Sequence, residues 1–359
     1  MPNSHNLPLT SPPQSLCILR LSAIGDISHT LPVVRTLQAH WPMTQITWII
    51  GKTEYNLVGD IPGIDFIIFD KRQGWRTYRD IRRQLRGRHF DVLLHMQMAL
   101  RASLISLLVN APIKLGFDRA RAKDAQWLFT NSQIAPRERE HVLDSLYGFS
   151  DALGATRRVL SWGIPIPTKA HEYAEQLLPG QQATLLISPC ASLAYRNWNA
   201  EGYAAVADYA IEQLGMRVVL SGGPSAIENQ YAADISRHMH HPNTNLIGQT
   251  DLKQLLALIQ RSSVLLAPDS GPAHLATAVG TPVIGLYACT NPDRARPYTS
   301  DKWVVNRYPA AVQQFLATEL ESQPFGKRVR DARAMALITP AEVQQRLATF
   351  MASLQQDKP

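Results

Sequence analysis

Apolar residues along this chain fall into short, nearly unbroken runs, separated by stretches of helical spacing. The first run covers residues 16–21, followed by a small-residue turn at 22–25 and a helical stretch from 26 to 39 that ends near Trp41-Pro42. Runs at 46–50, 66–69, 92–95 and 113–116 continue the series, with helical stretches at 76–88 and 100–109. Strands buried on both faces require continuous apolar runs of this kind, and their alternation with helices predicts parallel βαβ units. A Pro-rich stretch at 162–168 interrupts the pattern and fits an interdomain linker. The series then restarts, with strands predicted at 183–188, 217–220, 246–247, 263–267 and 282–287 and helices at 200–214, 226–239, 252–260 and 272–279. Thr339-Pro-Ala-Glu342 has the spacing of a capping box and opens a helix over 341–354.

The fold class is therefore α/β, with two consecutive doubly wound domains. A tail over 1–15, polar and Pro-rich, is expected to be disordered and lacks the basic-then-apolar order of a signal peptide. The domains are placed at 16–165 and 166–335, and the terminal segment 336–359 is expected to send its helix back onto the first domain. No apolar run approaches the length of a membrane-spanning helix.

Composition sharpens this picture through charge. The formal net charge over 359 residues is +7, and all of that surplus lies before residue 166, where 20 Lys and Arg face 13 Asp and Glu. Eight basic residues and one acid, Asp80, lie between residues 71 and 88. Such a block either attracts an anionic partner (nucleic acid, a membrane surface, a phosphorylated ligand) or forms a solvated helix face. The three cysteines, Cys17, Cys190 and Cys289, are far apart, which excludes a disulfide framework and a Cys-based zinc site and points to a reducing cytosol. The absence of GxxxxGK[ST], HExxH, GxSxG and GxGxxG counts against a P-loop NTPase, a zincin, an α/β-hydrolase and a simple dehydrogenase.

Three stretches could carry chemistry. Asp269-Ser-Gly-Pro-Ala-His274 follows a strand, where open α/β sheets place ligands, with Gly271 expected as N-cap and Gly280 ending the helix. The amides of Gly271, Ala273 and His274 would meet an anion such as a diphosphate; the alternative is an ordinary tight βαβ turn. In the second stretch, Arg20-Leu-Ser-Ala-Ile-Gly-Asp26-Ile-Ser-His29-Thr-Leu-Pro, Asp26 is either a helix cap or a general base. His29 either shares its face or packs in the interior. In the third, Ser192 and Arg196 lie in the loop after the first strand of the second domain and suit phosphate oxygens. His238, His240 and His241 fit a solvated surface better than a metal site.

Carried by the Asp269 motif with its following Gly280-Thr-Pro, by the Asp26 motif, and by Trp198 with Arg196 before it, the chain resembles the heptosyltransferases of glycosyltransferase family 9 over about residues 16–297. The resemblance implies a GT-B fold of two Rossmann-like domains whose parallel sheets face a cleft, the first binding the acceptor and the second the nucleotide sugar. It implies inverting transfer from ADP-L-glycero-D-manno-heptose, with no obligatory metal and no cofactor. Asp26 matches the family's general base, Ser192 a phosphate-binding hydroxyl, Asp269 a residue that bonds the heptose, and Gly271 one whose amide meets the diphosphate. Ser270 and His274 belong to the same motif. Arg196 stands where the family commonly has Lys, and Ala191 where it has Thr; Thr250 and Glu228 align loosely with adenosine-side positions.

Among the branches, 19–26 and Leu94-His-Met-Gln97 look most like the first heptosyltransferase, which acts on Kdo-lipid A. An anionic glycolipid of that kind makes Lys71, Arg72, Arg76, Arg119 and Lys123 the natural acceptor contacts. It also places the protein in the cytoplasm of a Gram-negative bacterium, peripherally on the inner face of the cytoplasmic membrane. The rivals are a later core heptosyltransferase or other nucleotide-sugar transferase of this fold, a basic nucleic-acid-binding protein and a non-catalytic sugar-binding protein. The last two leave the Asp269 motif idle or call for export, so nucleic acid is not expected as a partner.

Overall fold

The computed structural model describes residues 7–356, the side chain of residue 355 excepted. The chain divides into two compact units, Met1–Pro165 and Ile166–Pro359. In the first, the elements run β1 (Ser15–Leu19), α1 (Ile24–His40), β2 (Gln45–Gly51), α2 (Lys52–Val58), β3 (Ile64–Phe69), α3 (Arg76–Leu85), β4 (Val92–His95), α4 (Leu100–Ser106), β5 (Ile113–Gly116), β6 (Ser132–Gln133) and α5 (Val142–Leu153). The second holds α6 (Thr168–Leu177), β7 (Thr184–Ile187), α7 (Ala200–Glu212), β8 (Arg217–Leu220), α8 (Ala226–His238), β9 (Thr244–Asn245), α9 (Leu252–Arg261), β10 (Val264–Pro268), α10 (Gly271–Ala278), β11 (Val283–Tyr287), α11 (Pro292–Ala295), β12 (Val305–Asn306), α12 (Tyr308–Leu316) and α13 (Pro340–Gln356).

Each unit carries a six-stranded sheet, ordered β3-β2-β1-β4-β5-β6 in the first and β12-β11-β10-β7-β8-β9 in the second. Neighbouring strands pair in parallel throughout. The winding reverses between β1 and β4 and again between β7 and β10, and doubly wound sheets bind ligands beside the carboxyl ends of such strand pairs.

Burial explains why the apolar runs became strands. Cys17 and Leu19 of β1, Ile49 of β2 and Ile67 of β3 form one core with Ile81 and Leu85 of α3 and Ala102 and Ile105 of α4. A fully buried Leu or Ile contributes about 1.5–3 kcal/mol, so a strand of such residues outweighs weak local preference. Helix α3 buries only Thr77, Ile81 and Leu85, one stripe at intervals of four, and turns its arginines to solvent. Arg76, Arg79, Arg82 and Arg83 of the basic block are thus the polar face of an amphipathic helix, with the block's other cations on the segments either side.

Four expectations are corrected. Residues 1–6 of the expected disordered tail lie outside the described residues, but from residue 7 the chain lies against the first unit. There the Leu9 amide donates to the Leu153 carbonyl, Thr44 Oγ1 donates to the Pro13 carbonyl, and Pro13 is buried. Next, the helix expected to return to the first domain belongs to the second unit, where Val343, Leu347 and Phe350 join the core around Trp198 and Tyr203. The capping residues were legible, but a cap does not say which apolar surface a helix covers. The strand expected at 246–247 lies at Thr244–Asn245 instead, and Leu246 and Ile247 are simply buried after it. Finally, α10 starts one residue early: Ser270, extended at φ −150° and ψ 166°, is the N-cap. The His274 amide therefore falls at the fourth helical position, where it bonds the N-cap carbonyl, and the open amides are those of Ser270, Gly271 and Ala273.

Candidate active site

In the first unit the site forms at the carboxyl ends of β1 and β4. The register that pairs Leu19 with His95 sets Arg20 beside Met96. The buried Arg20 guanidinium donates through Nη1 to the Met96 carbonyl and through Nη2 reaches Asp26 Oδ2 at 2.8 Å. Asp26 is the third residue of α1, and its Oδ2 also accepts the Ala23 amide at 3.1 Å. It is thus a capping carboxylate, one of the two roles the sequence left open, and it lies on the ligand edge of the sheet. Both bonds fall on Oδ2 while the side chain stays 42% exposed, so Oδ1 can meet an incoming hydroxyl.

Gln97, two residues past the end of β4, accepts the Leu21 amide at 2.6 Å and donates to Ser22 Oγ at 3.2 Å, fixing the turn that leads to Asp26. Glu54 of α2 lies near the same edge. Burial pushes its carboxyl up, the Lys71 and Arg101 cations pull it down, and the Asp26 charge pushes it up again. A Cβ on Gly51 would collide with the Leu21 carbonyl and the Glu54 carboxylate, so only glycine lets β2 approach this turn. His29 takes the interior option: it is buried, with its ring edge-on to His141 at 5.5 Å.

The predicted acceptor cations are all exposed. Lys71 and Arg72 occupy a single helical turn capped by Asp70, whose Oδ1 accepts the Arg72 amide at 3.0 Å, and Arg76 opens α3. Arg119 stacks over Trp127 at 4.6 Å, and Lys123 lies between them in sequence, in the loop after β5. Of these, Lys71 is close enough to Glu54 to act on its charge.

In the second unit the corresponding place lies at the ends of β7 and β10. Trp198 pins the loop after β7: fully buried, it donates to the Ile338 carbonyl at 3.0 Å and packs edge-on against Tyr203. That holds Arg196, whose Nη1 donates to the carbonyl and the carboxylate of Asp269 at 3.0 and 2.8 Å and whose Nη2 donates to Ser192 Oγ at 3.1 Å. His274 Nε2 lies 3.7 Å from the other Asp269 oxygen. Burial pushes the Asp269 carboxyl up, but the His274 hydrogen bond, the His274 and Arg196 charges and the Thr290 hydroxyl together hold it below the usual range.

Ser270 Oγ and Arg196 Nε, both buried here, have no hydrogen-bond partner among the described residues. With the open amides of α10 they form a donor-rich surface suited to an anion. Glu228 is engaged locally, accepting from the Gly223 amide and the Ser225 hydroxyl at 2.7 Å each. Thr250 is half-buried on the adjoining turn, which the Gly248 amide ties to the Gly222 carbonyl. Among the described residues neither bonds to Arg196 or Asp269.

The histidine group is a surface feature. His241 pairs with Glu212 at 2.7 Å and His238 with Glu201 at 3.5 Å, and among the described residues no three His, Cys, Asp or Glu gather as a metal site. Arg20, Gln97 and Glu54 are the site residues that sequence reasoning missed. Arg20 falls inside the first apolar run, Gln97 two residues past the run at 92–95 and Glu54 four past the run at 46–50, so no run boundary marked them.

Comparison with known proteins bears on the family and the fold. Residues 78–321 match the family described as glycosyltransferase family 9 (heptosyltransferase). A lipopolysaccharide core heptosyltransferase of Haemophilus influenzae, OpsX, is 41% identical over 92% of this chain and 94% of its own. Among solved structures, a family 9 glycosyl transferase from Veillonella parvula superposes with a TM-score of 0.79 at 20% identity, covering 95% of this chain and 98% of that one. The ADP-heptose lipopolysaccharide heptosyltransferase II of Escherichia coli gives 0.71 at 20% identity, over 96% of this chain and all of its own.

Proposed function

Since this chain belongs to glycosyltransferase family 9, the heptosyltransferases, we propose that it transfers L-glycero-D-manno-heptose from ADP-heptose to Kdo-lipid A during lipopolysaccharide inner-core assembly. It is an enzyme of the GT-B fold, and its two sheets divide the work. The observation that carries the mechanism is Asp26, an aspartate fixed by Arg20 and the Ala23 amide through one oxygen and open at the other.

In this reading Asp26 takes the proton of the acceptor hydroxyl as that oxygen forms its bond to the anomeric carbon. The bond between that carbon and the ADP oxygen breaks on the opposite face, and the electron pair leaves with the diphosphate, so configuration inverts. Charge developing on the diphosphate calls for cations and amide donors, which Arg196, Ser270 and the first turn of α10 supply. Ser192 positions Arg196, and Asp269, kept ionised, suits the sugar hydroxyls. With those donors in place the mechanism requires no obligatory metal and no cofactor. Lys71, Arg72, Arg76, Arg119 and Lys123 meet the carboxylates and phosphates of the acceptor, and Glu228 and Thr250 lie on the adenosine side. The acceptor places the enzyme peripherally on the inner face of the cytoplasmic membrane.

Asp26→Asn tests this directly. The variant is expected to bind ADP-heptose with unchanged affinity by calorimetry while transfer falls by roughly 10²–10⁴-fold, the usual contribution of a general base. Transfer at the wild-type rate would remove Asp26 from the mechanism.

A further inference from the structure

The first unit exposes one apolar face that neither its core nor its site uses. Helix α4 buries Ala102 and Ile105 and turns Leu100 and Leu104 outward, with Leu107 one turn on. Trp127 and Leu128, on the short turn after β5, are exposed as well, and the five side chains are between 37 and 65% exposed. The two segments are held together. Leu100 donates its amide to Asp124 Oδ2 at 3.2 Å, and the buried His95 ring bonds Ser103 of α4 on one side and Gln126 on the other. Gln126 donates further to the His95 carbonyl at 2.8 Å, so Trp127 and Leu128 project from an anchored turn.

Cations border this face: Arg101 on α4, Arg119 stacked on Trp127, and Lys123, all exposed, with Asp124 the exposed acid among them. Monomeric proteins rarely gather exposed leucines and a tryptophan without a partner, and a rim of cations around such a group is the chemistry of an anionic bilayer surface. Both segments follow the carboxyl ends of β4 and β5, the edge that also carries Asp26. Arg101 is close enough to Glu54 to act on its charge, so this face adjoins the acceptor side.

We propose that the outer face of α4, with Trp127 and Leu128, is the surface by which the first unit lies on an anionic bilayer. This rests on the acceptor being a membrane glycolipid, and it adds which side chains enter the interface. The leucines and Trp127 bury among the acyl-chain boundary, while Arg101 meets bilayer phosphates beside Arg119 and Lys123, which hold the acceptor's own.

The test is sedimentation of the full chain with vesicles of phosphatidylcholine alone and of phosphatidylcholine mixed with phosphatidylglycerol, alongside transfer to a deacylated, water-soluble acceptor. Wild type is expected to bind the anionic vesicles and to lose binding as salt is raised. The Leu104→Glu/Leu107→Glu variant should bind at least about tenfold more weakly, and Ile227→Glu, an exposed apolar position on the second unit, should bind as wild type does. Transfer to the soluble acceptor should be unchanged in the leucine variant, which also certifies its fold. Leu128→Glu gives an independent reading should that double variant not fold. Equal vesicle binding by wild type and the Leu variants, or no binding by wild type while soluble transfer proceeds, overturns this surface and leaves the enzyme assignment standing. Failure of wild type to use the soluble acceptor and Kdo-lipid A alike would instead sink the functional reading beneath it.

Discussion

His95 shows how a single buried side chain joins fold and site. It ends β4 with its ring sealed from solvent between Ser103 and Gln126, and burial lowers its pKa to about 4, with the nearby Lys114 charge adding to the effect. A folded-state pKa below the unfolded value means the unfolded chain binds the extra proton. The stabilisation from a neutral His95 is therefore complete above about pH 6.5 and is lost as pH falls toward 4. Denaturant unfolding at about pH 7 and about pH 4.5 should show wild type losing roughly 2–3 kcal/mol more than His95→Gln between the two. Parallel losses in both proteins would mean that His95 is protonated in the folded state. Asp26, Asp269 and Arg196 were legible because each lies in the turn or loop that leaves an apolar run on the ligand edge of its sheet. Arg20, Gln97 and Glu54 were not, because their partners arrive from distant segments: Gln97 meets Leu21 and Ser22 some 75 residues away. No local pattern encodes that pairing.

Among the elements, the central strands and long helices were readable from periodicity, while the edges were not. Strands β6 (Ser132–Gln133) and β12 (Val305–Asn306) have two residues each and no apolar run, so only the neighbouring strand defines them. Helix α5 carries Gly148 in its interior and follows an irregular loop, which hid its spacing. Helix α13 was seen but assigned to the wrong neighbour. Its apolar stripe of Val343, Leu347 and Phe350 meets the second unit's core, where Phe350 packs edge-on against Trp303 at 5.2 Å. Phe350→Ala is expected to cost about 3–5 kcal/mol. Hydrogen exchange should show that loss of protection in the second unit. Loss confined to the first unit would return the helix to the place the sequence first suggested.

For the whole molecule, charge divides along the boundary between the two units. The entire +7 surplus lies before residue 166, in the unit that carries Asp26, the basic face of α3 and the apolar face of α4. The second unit, balanced in charge, concentrates a few donors around Arg196 and α10, where the diphosphate is proposed to sit. Among the described residues no helix is long and apolar enough to cross a membrane. The central claim is the reaction itself, heptose from ADP-heptose onto Kdo-lipid A. It is tested most directly by offering the purified protein ADP-heptose with Kdo-lipid A and, separately, with an acceptor that already bears heptose, and weighing the products by mass spectrometry. The account expects one heptose added to Kdo-lipid A and none to the heptosylated acceptor. Addition to the heptosylated acceptor alone, or to neither, would contradict it.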